Sequence, residues 1–352
     1  MANRPRKATV KILYNNKDIS ESLAPYLKSL SYTDSMSGQA DDLQITVEDR
    51  SGKWEGAWLP DKGAKLTVSL ITSAWGGRTD GDVTTPLGVF EIDEITSKGY
   101  PSEVTIKAVS VPDNVKLRDE TQTRSWEDVS FRRIAKDIAE EAGLTLVYDL
   151  DENPEIDRAE QTEESSLSFL HNLCRQRGYA LKVYKEQLVI FDEADYETGD
   201  VVAVIVKPKT AYTAVKGTTY ITDLLSYSLS TKMREVYASA HVSYYDSDIR
   251  ETIEATYSDS SKTTGKTLQI NEQVASIAEA KELAKKRLRE KNAQEITGEV
   301  SLIGTPSLMA AECVTLKGFG AFDGKYIIDR ARHTLGSGYT TSLSIRRCLD
   351  GY

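Results

Sequence analysis

The segment Lys65-Leu-Thr-Val-Ser-Leu70 alternates polar side chains with leucine or valine at every second position. This period of two is typical of an antiparallel strand that buries one face. The same alternation recurs at Leu43–Val47 and at Val104–Ala108, and turn-forming residues separate the runs. Residues 1–111 are therefore predicted to form a β sandwich or barrel of about six strands.

The pattern changes period after residue 111. Apolar residues recur at helical spacing up to Ala142, and Gly143 follows as a stop. Ser125 and Asp128 form a variant of the capping box, which predicts that this helix begins at Trp126. An acidic loop is predicted at 149–164, and a second amphipathic helix at 165–177. Residues 112–200 are thus predicted to be a small α+β module, with both helices covering a three-stranded sheet.

Residues 201–352 return to the strand pattern with one exception. Ser276 and Glu279 form a capping box, and apolar residues at helical spacing continue to about Glu290. One helix is therefore predicted at about 276–290, within a second β domain. The expected fold class is mainly β with an α+β insert, in which two β domains bracket the inserted module.

The charge is unevenly distributed along the chain. The 352 residues carry 44 Lys and Arg against 54 Asp and Glu, and the segment 112–200 alone holds 22 acidic and 11 basic side chains. Such a segment repels nucleic acid, so sequence-specific DNA or RNA binding is not expected. It is a solvated surface, a docking face for a basic partner or the acidic wall of a channel.

Two further features of the sequence bear on where the protein is made. No apolar run is long enough for a membrane anchor, and the N-terminus lacks the apolar stretch of a secretory signal. A soluble protein made in the cytoplasm is therefore expected.

Paired carboxylates offer one route to an enzyme, because two of them can divide the acid and base roles of glycoside hydrolysis. The candidates are Asp149, Asp151, Glu152, Glu155, Glu163 and Glu164. They lie in a polar stretch whose only aromatic neighbour is Tyr148, so an ordinary acidic surface is the preferred interpretation. A peptidoglycan- or carbohydrate-active enzyme stays the alternative.

Other chemistry finds less support. His171 and Cys174 are three residues apart on a predicted helix, but His241 and His333 are distant and bring no ligand pair. The three cysteines are interpreted as buried apolar residues, and the glycines of 318–324 as a tight turn. No catalytic, cofactor-binding or metal-binding residue is predicted.

The aromatic composition points to packing instead. Tyrosine outnumbers phenylalanine by 18 to 6, which suits strands covered on both faces. Trp54, Trp58 and Trp75 lie beside turn residues and are either core residues or interface anchors.

The order of several motifs resembles the phage late control D family, the baseplate hub proteins of contractile tails. These are similar to the hub portion of the valine-glycine repeat spike proteins of type VI secretion. The motifs are Trp58-Leu-Pro-Asp-Lys-Gly63, Leu87-Gly-Val-Phe-Glu-Ile-Asp-Glu-Ile95, Gln161-Thr-Glu-Glu-Ser-Ser-Leu-Ser-Phe-Leu170, Gly304-Thr-Pro-Ser-Leu308, Gly318-Phe-Gly and Gly324-Lys-Tyr-Ile-Ile-Asp.

This resemblance implies a structural, non-enzymatic hub. Two β domains with a tube-protein-like fold, residues 1–111 and 201–352, would lie in one chain, joined by the module 112–200. A homotrimer would then form a pseudo-sixfold ring between a sixfold inner tube and a threefold central spike. The implied partners are the inner tube or tube-initiator proteins, a trimeric spike and other baseplate components.

The resemblance also implies where the protein acts and what it lacks. Assembly in the bacterial host cytoplasm, then residence in the tail baseplate of a phage or a phage-tail-like bacteriocin, is expected. The chain ends at Tyr352, so the spike is expected to be a separate polypeptide. A third interpretation, an adhesin or sugar-binding module, predicts glycan binding by the isolated protein.

Overall fold

The computed structural model describes residues 5–38, 40–76, 81–110, 117, 120–184, 186–232, 234, 236–246, 250–260, 262, 265–274 and 276–349. The first β domain contains β1 Lys7–Tyr14, β2 Lys17–Asp18, the short helix α1 Ser20–Leu23, β3 Leu27–Ser35, β4 Asp42–Glu48, β5 Lys65–Ser73, β6 Asp82–Lys98 and β7 Glu103–Val109. Its strands pair antiparallel in the order β3-β4-β7-β6-β5-β1-β2. The alternating apolar residues of these strands, Val68 and Ile106 among them, fill one core.

The inserted module follows. It contains β8 Thr121–Ser130, α2 Phe131–Glu141, β9 Thr145–Asp149, β10 Glu155–Ser165, α3 Ser166–Gln176, β11 Tyr179–Tyr184, β12 Gln187–Asp192 and α4 Glu193–Thr198. A three-stranded sheet, β11-β12-β9, and a two-stranded ribbon, β10-β8, share one apolar core with α2 and α3. The predicted three-stranded sheet with two long helices is confirmed.

Two predictions inside this module are wrong. The first helix begins at Phe131, not at Trp126, because Thr121–Ser130 forms strand β8. The Ser125–Asp128 pair does not cap it, since Asp128 has a φ of +50° within the ribbon. The acidic stretch predicted as a loop contains β10, which pairs with β8 from Glu155 to Ser165. Trp126 stacks on Phe169 at 5.2 Å between ring centroids, so packing decides the conformation of this ribbon.

The remaining elements are β13 Val201–Val206, β14 Tyr220–Ile221, β15 Leu224–Thr231, β16 Tyr237–Asp246, β17 Glu251–Ser258, β18 Lys266–Ile270, α5 Ile277–Asn292, β19 Ile296–Ile303, β20 Cys313–Lys317, β21 Gly324–Leu335 and β22 Tyr339–Arg347. Seven of these strands lie in the order β14-β13-β20-β21-β22-β19-β15. The other three form a separate sheet, β17-β16-β18, which α5 covers.

The predicted second-domain helix is confirmed. The Ser276 hydroxyl accepts the backbone N–H of Glu279 at 3.1 Å, and the helix continues to Asn292. The predicted fold class, mainly β with an α+β insert, is also confirmed. The boundaries near 111 and 200 stay predictions. Among the residues described, no helix has the length and apolar character needed to cross a membrane.

The two β domains repeat one arrangement. In the first, β5-β6-β7-β4-β3 are antiparallel neighbours; in the second, β20-β21-β22-β19-β15 are. The five strands also have the same chain order in both copies, which is β3, β4, β5, β6, β7 in the first and β15, β19, β20, β21, β22 in the second. In the second copy, β16, β17, β18 and α5 are inserted between β15 and β19. Such a match in pairing, direction and chain order indicates an internal duplication.

The irregularities of the two sheets also coincide. The register of β6 on β7 shifts between Ile92 and Glu94, and that of β21 on β22 shifts between Ile328 and Arg330. The two outer strands repeat this agreement, because β3 and β15 each carry one extra residue near their start, Lys28 and Leu225. Bulges are structural features that families retain, so their coincidence supports the duplication.

Candidate functional site at the junction of the two β domains

The two β domains are joined by main-chain pairing. Strand β3 of the first domain pairs antiparallel with the second half of β21, from Leu30 opposite Leu335 to Ser35 opposite Arg330. All six residues of β3 in this pairing are buried. Arg332 adds a side-chain bond across the pairing, donating from Nε to the Ser31 hydroxyl at 2.8 Å. All described strands of both domains except β16, β17 and β18 therefore form one continuous sheet of 14 strands.

A buried ion cluster fixes the inserted module beneath this junction. Lys182 on β11 donates to the carboxylate of Asp34 and lies 3.5 Å from Oδ1 of Asp41. Asp34 also accepts the backbone N–H of Ala310 at 2.8 Å, so it links all three parts of the chain. Burial raises the pKa of Asp41, and the nearby Lys182 ammonium opposes that rise.

A second buried cluster lies around Arg346 of β22. Its guanidinium donates to Asp329 at 2.9 Å, to Glu193 at 2.8 Å and to Glu197. The side chain of Arg346 is only 3% exposed, as is that of Glu197. Burial raises the pKa of Asp329 to about 6, although Arg346 opposes the rise. Because α4 supplies both glutamates, this cluster fixes the end of the inserted module to the second β domain.

A cavity of about 590 Å³ lies where the inserted module, α5 and the junction meet. Its lining mixes both charges and includes Glu152, His171, Lys286, Arg289 and Arg346. Burial lowers the pKa of the His171 imidazole and of the Lys286 ammonium. Glu152 accepts the Tyr179 hydroxyl at 3.3 Å, so this candidate carboxylate supports the packing around the cavity.

The candidate carboxylates do not form a catalytic pair along β10. Glu155 and Glu164 lie near its opposite ends, and the strand has 11 residues. At about 3.3 Å per residue, they are roughly 30 Å apart. Glycosidase carboxylates lie about 5–10 Å apart. Glu163 sits at the bulge of β10 with a φ of +49°, and Asp149 accepts the Tyr196 hydroxyl at 3.1 Å.

Possible metal ligands and the three cysteines are the next candidates from the sequence. The part of the chain that the structure describes contains no group of three or more His, Cys, Asp or Glu residues able to hold a metal ion. Cys174 is fully buried in the core of the inserted module, and burial raises its pKa. Cys313 and Cys348, far apart in sequence, are neighbours, and a hydrogen bond from Cys348 lowers the pKa of Cys313 to about 7.

The core role predicted for the tryptophans is confirmed for Trp54, and the role of interface anchor stays a prediction. Trp54 is buried in the first core, whereas Trp58 is 40% exposed and packs edge-on against Trp54 and Tyr26. Trp75 bridges the domains, because its indole N–H donates to the carbonyl of Gly304 at 2.6 Å.

Two open strand edges of the large sheet, one in each β domain, are of particular interest. Strand β15 pairs with β19 on one side only, and Leu225 and Tyr227 on it are 55% and 43% exposed. In β6, the segment 93–98 pairs with β7 but extends beyond the end of β5. Tyr100, directly after that segment, is 98% exposed. Neither edge is predictable from the sequence, because an alternating pattern identifies a strand but not its partner strand.

The chain is similar in sequence and in fold to known tail proteins. The probable baseplate hub protein of Escherichia phage 186 is 31% identical over 176 residues, which are 50% of this chain and 42% of that protein. The aligned part therefore spans less than half of that curated relative. A tail protein of Neisseria meningitidis matches with a TM-score of 0.71 at 12% identity, covering 97% of this chain and 96% of the other.

An Escherichia coli component of the type VI secretion system, described as structurally similar to bacteriophage T4 tail proteins, matches with a TM-score of 0.55. The identity is 11%, and the match covers 99% of this chain and 79% of that one. At these identities the two solved structures show the fold alone. The family model described as phage tail baseplate hub (GPD) matches residues 63–339. The chain therefore belongs to the phage tail baseplate hub family.

Proposed function

We propose that this baseplate hub protein forms a homotrimeric ring with pseudo-sixfold symmetry. The ring would join a sixfold inner tube, or its initiator proteins, to a threefold central spike supplied by a separate polypeptide. Residues 1–111 and 201–352 would supply the two ring domains of each chain, and residues 112–200 the module that connects them.

The observation that carries this proposal is the internal duplication. Each chain holds two copies of the five-stranded arrangement, with coincident bulges in β6 and β21. Three chains would place six such units around one axis, which is what a sixfold tube requires of the surface it meets. One face of the ring could remain threefold, because the inserted module occurs only once per chain.

The proposed mechanism is geometric. Closed rings hide strand edges that would otherwise pair with other chains. The acidic residues of 112–200 are proposed as a docking face for basic baseplate components, which would make that contact sensitive to salt. We propose assembly in the host cytoplasm, followed by incorporation into the tail baseplate of a phage or a phage-tail-like bacteriocin.

Native mass spectrometry of the purified chain, alone and mixed with its spike protein, tests the stoichiometry. Three chains of 39.1 kDa per complex are expected. A trimer that appears only with the spike agrees with the proposal, since the spike can template the ring. A complex that contains a single hub chain contradicts it.

A further inference from the structure

The junction inside each chain provides a template for the contact between chains. Within the duplication, β3 corresponds to β15 and β21 corresponds to β6, because each pair occupies the same place in its five-stranded arrangement. Inside the chain, β3 pairs with the second half of β21. The corresponding pairing of β15 with the second half of β6 does not occur within the described residues of the chain.

The burial of the four strands agrees with a missing partner. Residues Leu30–Ser35 of β3 are all buried, whereas the corresponding residues of β15, 227–232, are exposed or half-buried. In β21, Ala331 and His333 are buried, whereas their counterparts Ile95 and Ser97 in β6 are half-buried and exposed. Each strand that has its partner is covered, and its duplicate without one is open.

The open segment of β6 is accessible along its backbone. The first residue of β5, Lys65, lies opposite Glu91. The loop that precedes β5 forms main-chain hydrogen bonds with β6 only as far as Ile92. In β21 the first half pairs with β20 up to Ile327, and β3 occupies the edge from Arg330 onward. Beyond Ile92, the described contacts of β6 on the β5 side involve side chains, such as the Ser97 hydroxyl with Glu55.

We propose that β15 of one chain pairs antiparallel with residues 94–99, the end of β6 and the following Gly99, in a second copy of the chain. This inference rests on the proposed ring and identifies the strands that close it. The contact is heterologous, since it uses a different surface on each chain, and a heterologous contact that closes generates a ring. Three chains would then contain six junctions of one kind, three within chains and three between them.

The correspondence also fixes the register. Ser35 opposite Arg330 becomes Lys232 opposite Glu94 of the neighbouring copy, and Thr33 opposite Arg332 becomes Ser230 opposite Thr96. The first of these pairs brings Lys232 to Glu94, whose carboxylate also binds Lys107 at 2.7 Å, so one carboxylate would be shared by two ammonium groups. The exposed Tyr227 comes opposite Gly99, next to the exposed Tyr100 of the neighbouring copy.

Cysteine crosslinking tests both the strands and the register. Opposite residues on paired antiparallel strands have Cβ atoms about 4.5–5.5 Å apart, within reach of a disulfide after slight adjustment. The double variant Ser230→Cys with Thr96→Cys, oxidised by copper phenanthroline in air, is expected to give a covalent ladder that ends at three chains. The control Ser230→Cys with Ser97→Cys shifts the register by one residue, places the thiols on opposite faces and should not crosslink.

A charge exchange provides a second readout that leaves the cores intact. Lys232→Glu is expected to weaken trimer formation several-fold, and adding Glu94→Lys is expected to restore it in part, since the exchanged ammonium also lies beside Lys107. If the wild-type chain is a trimer but the matched cysteines do not crosslink, this contact is wrong and the hub ring stands. A crosslink in the shifted control also overturns the proposed register. A chain that stays monomeric even with its spike contradicts both the contact and the ring.

Discussion

Asp93 and Asp329 occupy equivalent positions in the two β domains. Each is the extra residue of a bulge, in β6 and in β21, and each follows the pattern Gly-x-aromatic-x-Ile. The glycines that begin the two patterns, Gly88 and Gly324, have φ values of +138° and +145°, which favour glycine. A shared backbone requirement thus explains why this short motif occurs twice.

Gly63 and Ala311 are a second equivalent pair and yield a stability prediction. Their N–H groups donate to Ile92 and Ile328 at 2.8 Å each, and their φ values are +76° and +68°. Because alanine is strained at positive φ, Ala311→Gly should raise the free energy of unfolding by about 0.5–1 kcal/mol, and Gly63→Ala should lower it by about 1 kcal/mol. Denaturant unfolding measures both changes; equal signs would contradict the equivalence.

Arg346 is expected to be essential for the fold. Arg346→Gln should lower the free energy of unfolding by about 3–5 kcal/mol, because it removes the counter-charge of Asp329 and Glu193 and leaves the buried Glu197 with Arg289 alone. Arg158, which pairs with Glu160 on the exposed face of the ribbon, is the matched control. Arg158→Gln should change stability by less than about 1 kcal/mol. Similar losses in both variants would contradict this account of the cluster.

The burial of His333 predicts that the free energy of unfolding depends on pH. Burial lowers its pKa to about 4, and the neutral ring donates from Nε2 to the Leu308 carbonyl at 3.0 Å. The unfolded chain binds this proton near pH 6.5, so it holds more protons than the folded chain between pH 6.5 and 4. The free energy of unfolding should therefore fall by about 3 kcal/mol as the pH falls through that window.

The variant His333→Gln isolates this effect from the carboxylates. Its stability deficit relative to the wild type should be largest at neutral pH and should shrink as the pH approaches 4. Urea unfolding at several pH values measures the deficit. A deficit that does not change with pH would contradict the assignment of a neutral, buried His333.

We expect that the acidic residues of 149–164 do not hydrolyse the cell wall. Zymograms on cell walls should show no clearing by the wild type, nor by Asp151→Asn or Glu163→Gln, because Glu155 lies roughly 30 Å from Glu164, and Asp149 and Glu152 accept the hydroxyls of Tyr196 and Tyr179. Clearing by the wild type that both substitutions abolish would restore the enzymatic alternative.

Local patterns predicted much of this fold. Alternation identified strands such as β5 and β7, and the capping box at Ser276 identified α5. The start of α2 was misplaced because the pairing of β8 with β10, and not local capping, determines the conformation of Thr121–Ser130. Local propensity carries no information about a distant strand partner.

The junction required information that lies between distant residues. Lys182 and Asp34 meet only because β11 folds back onto the end of β3, which no spacing in the sequence indicates. The duplication was different, because the repeat of Gly88-Val-Phe-Glu-Ile-Asp93 as Gly324-Lys-Tyr-Ile-Ile-Asp329 is visible in the sequence. A repeat of this kind can be detected by comparing the sequence with itself.

A reconstruction of the assembled tail baseplate at side-chain resolution tests the central claim most directly. The account predicts three copies of this chain around the tube axis, with their six β domains at intervals of about 60° in one continuous ring. Six copies, or β domains that lie at two different radii, would contradict it.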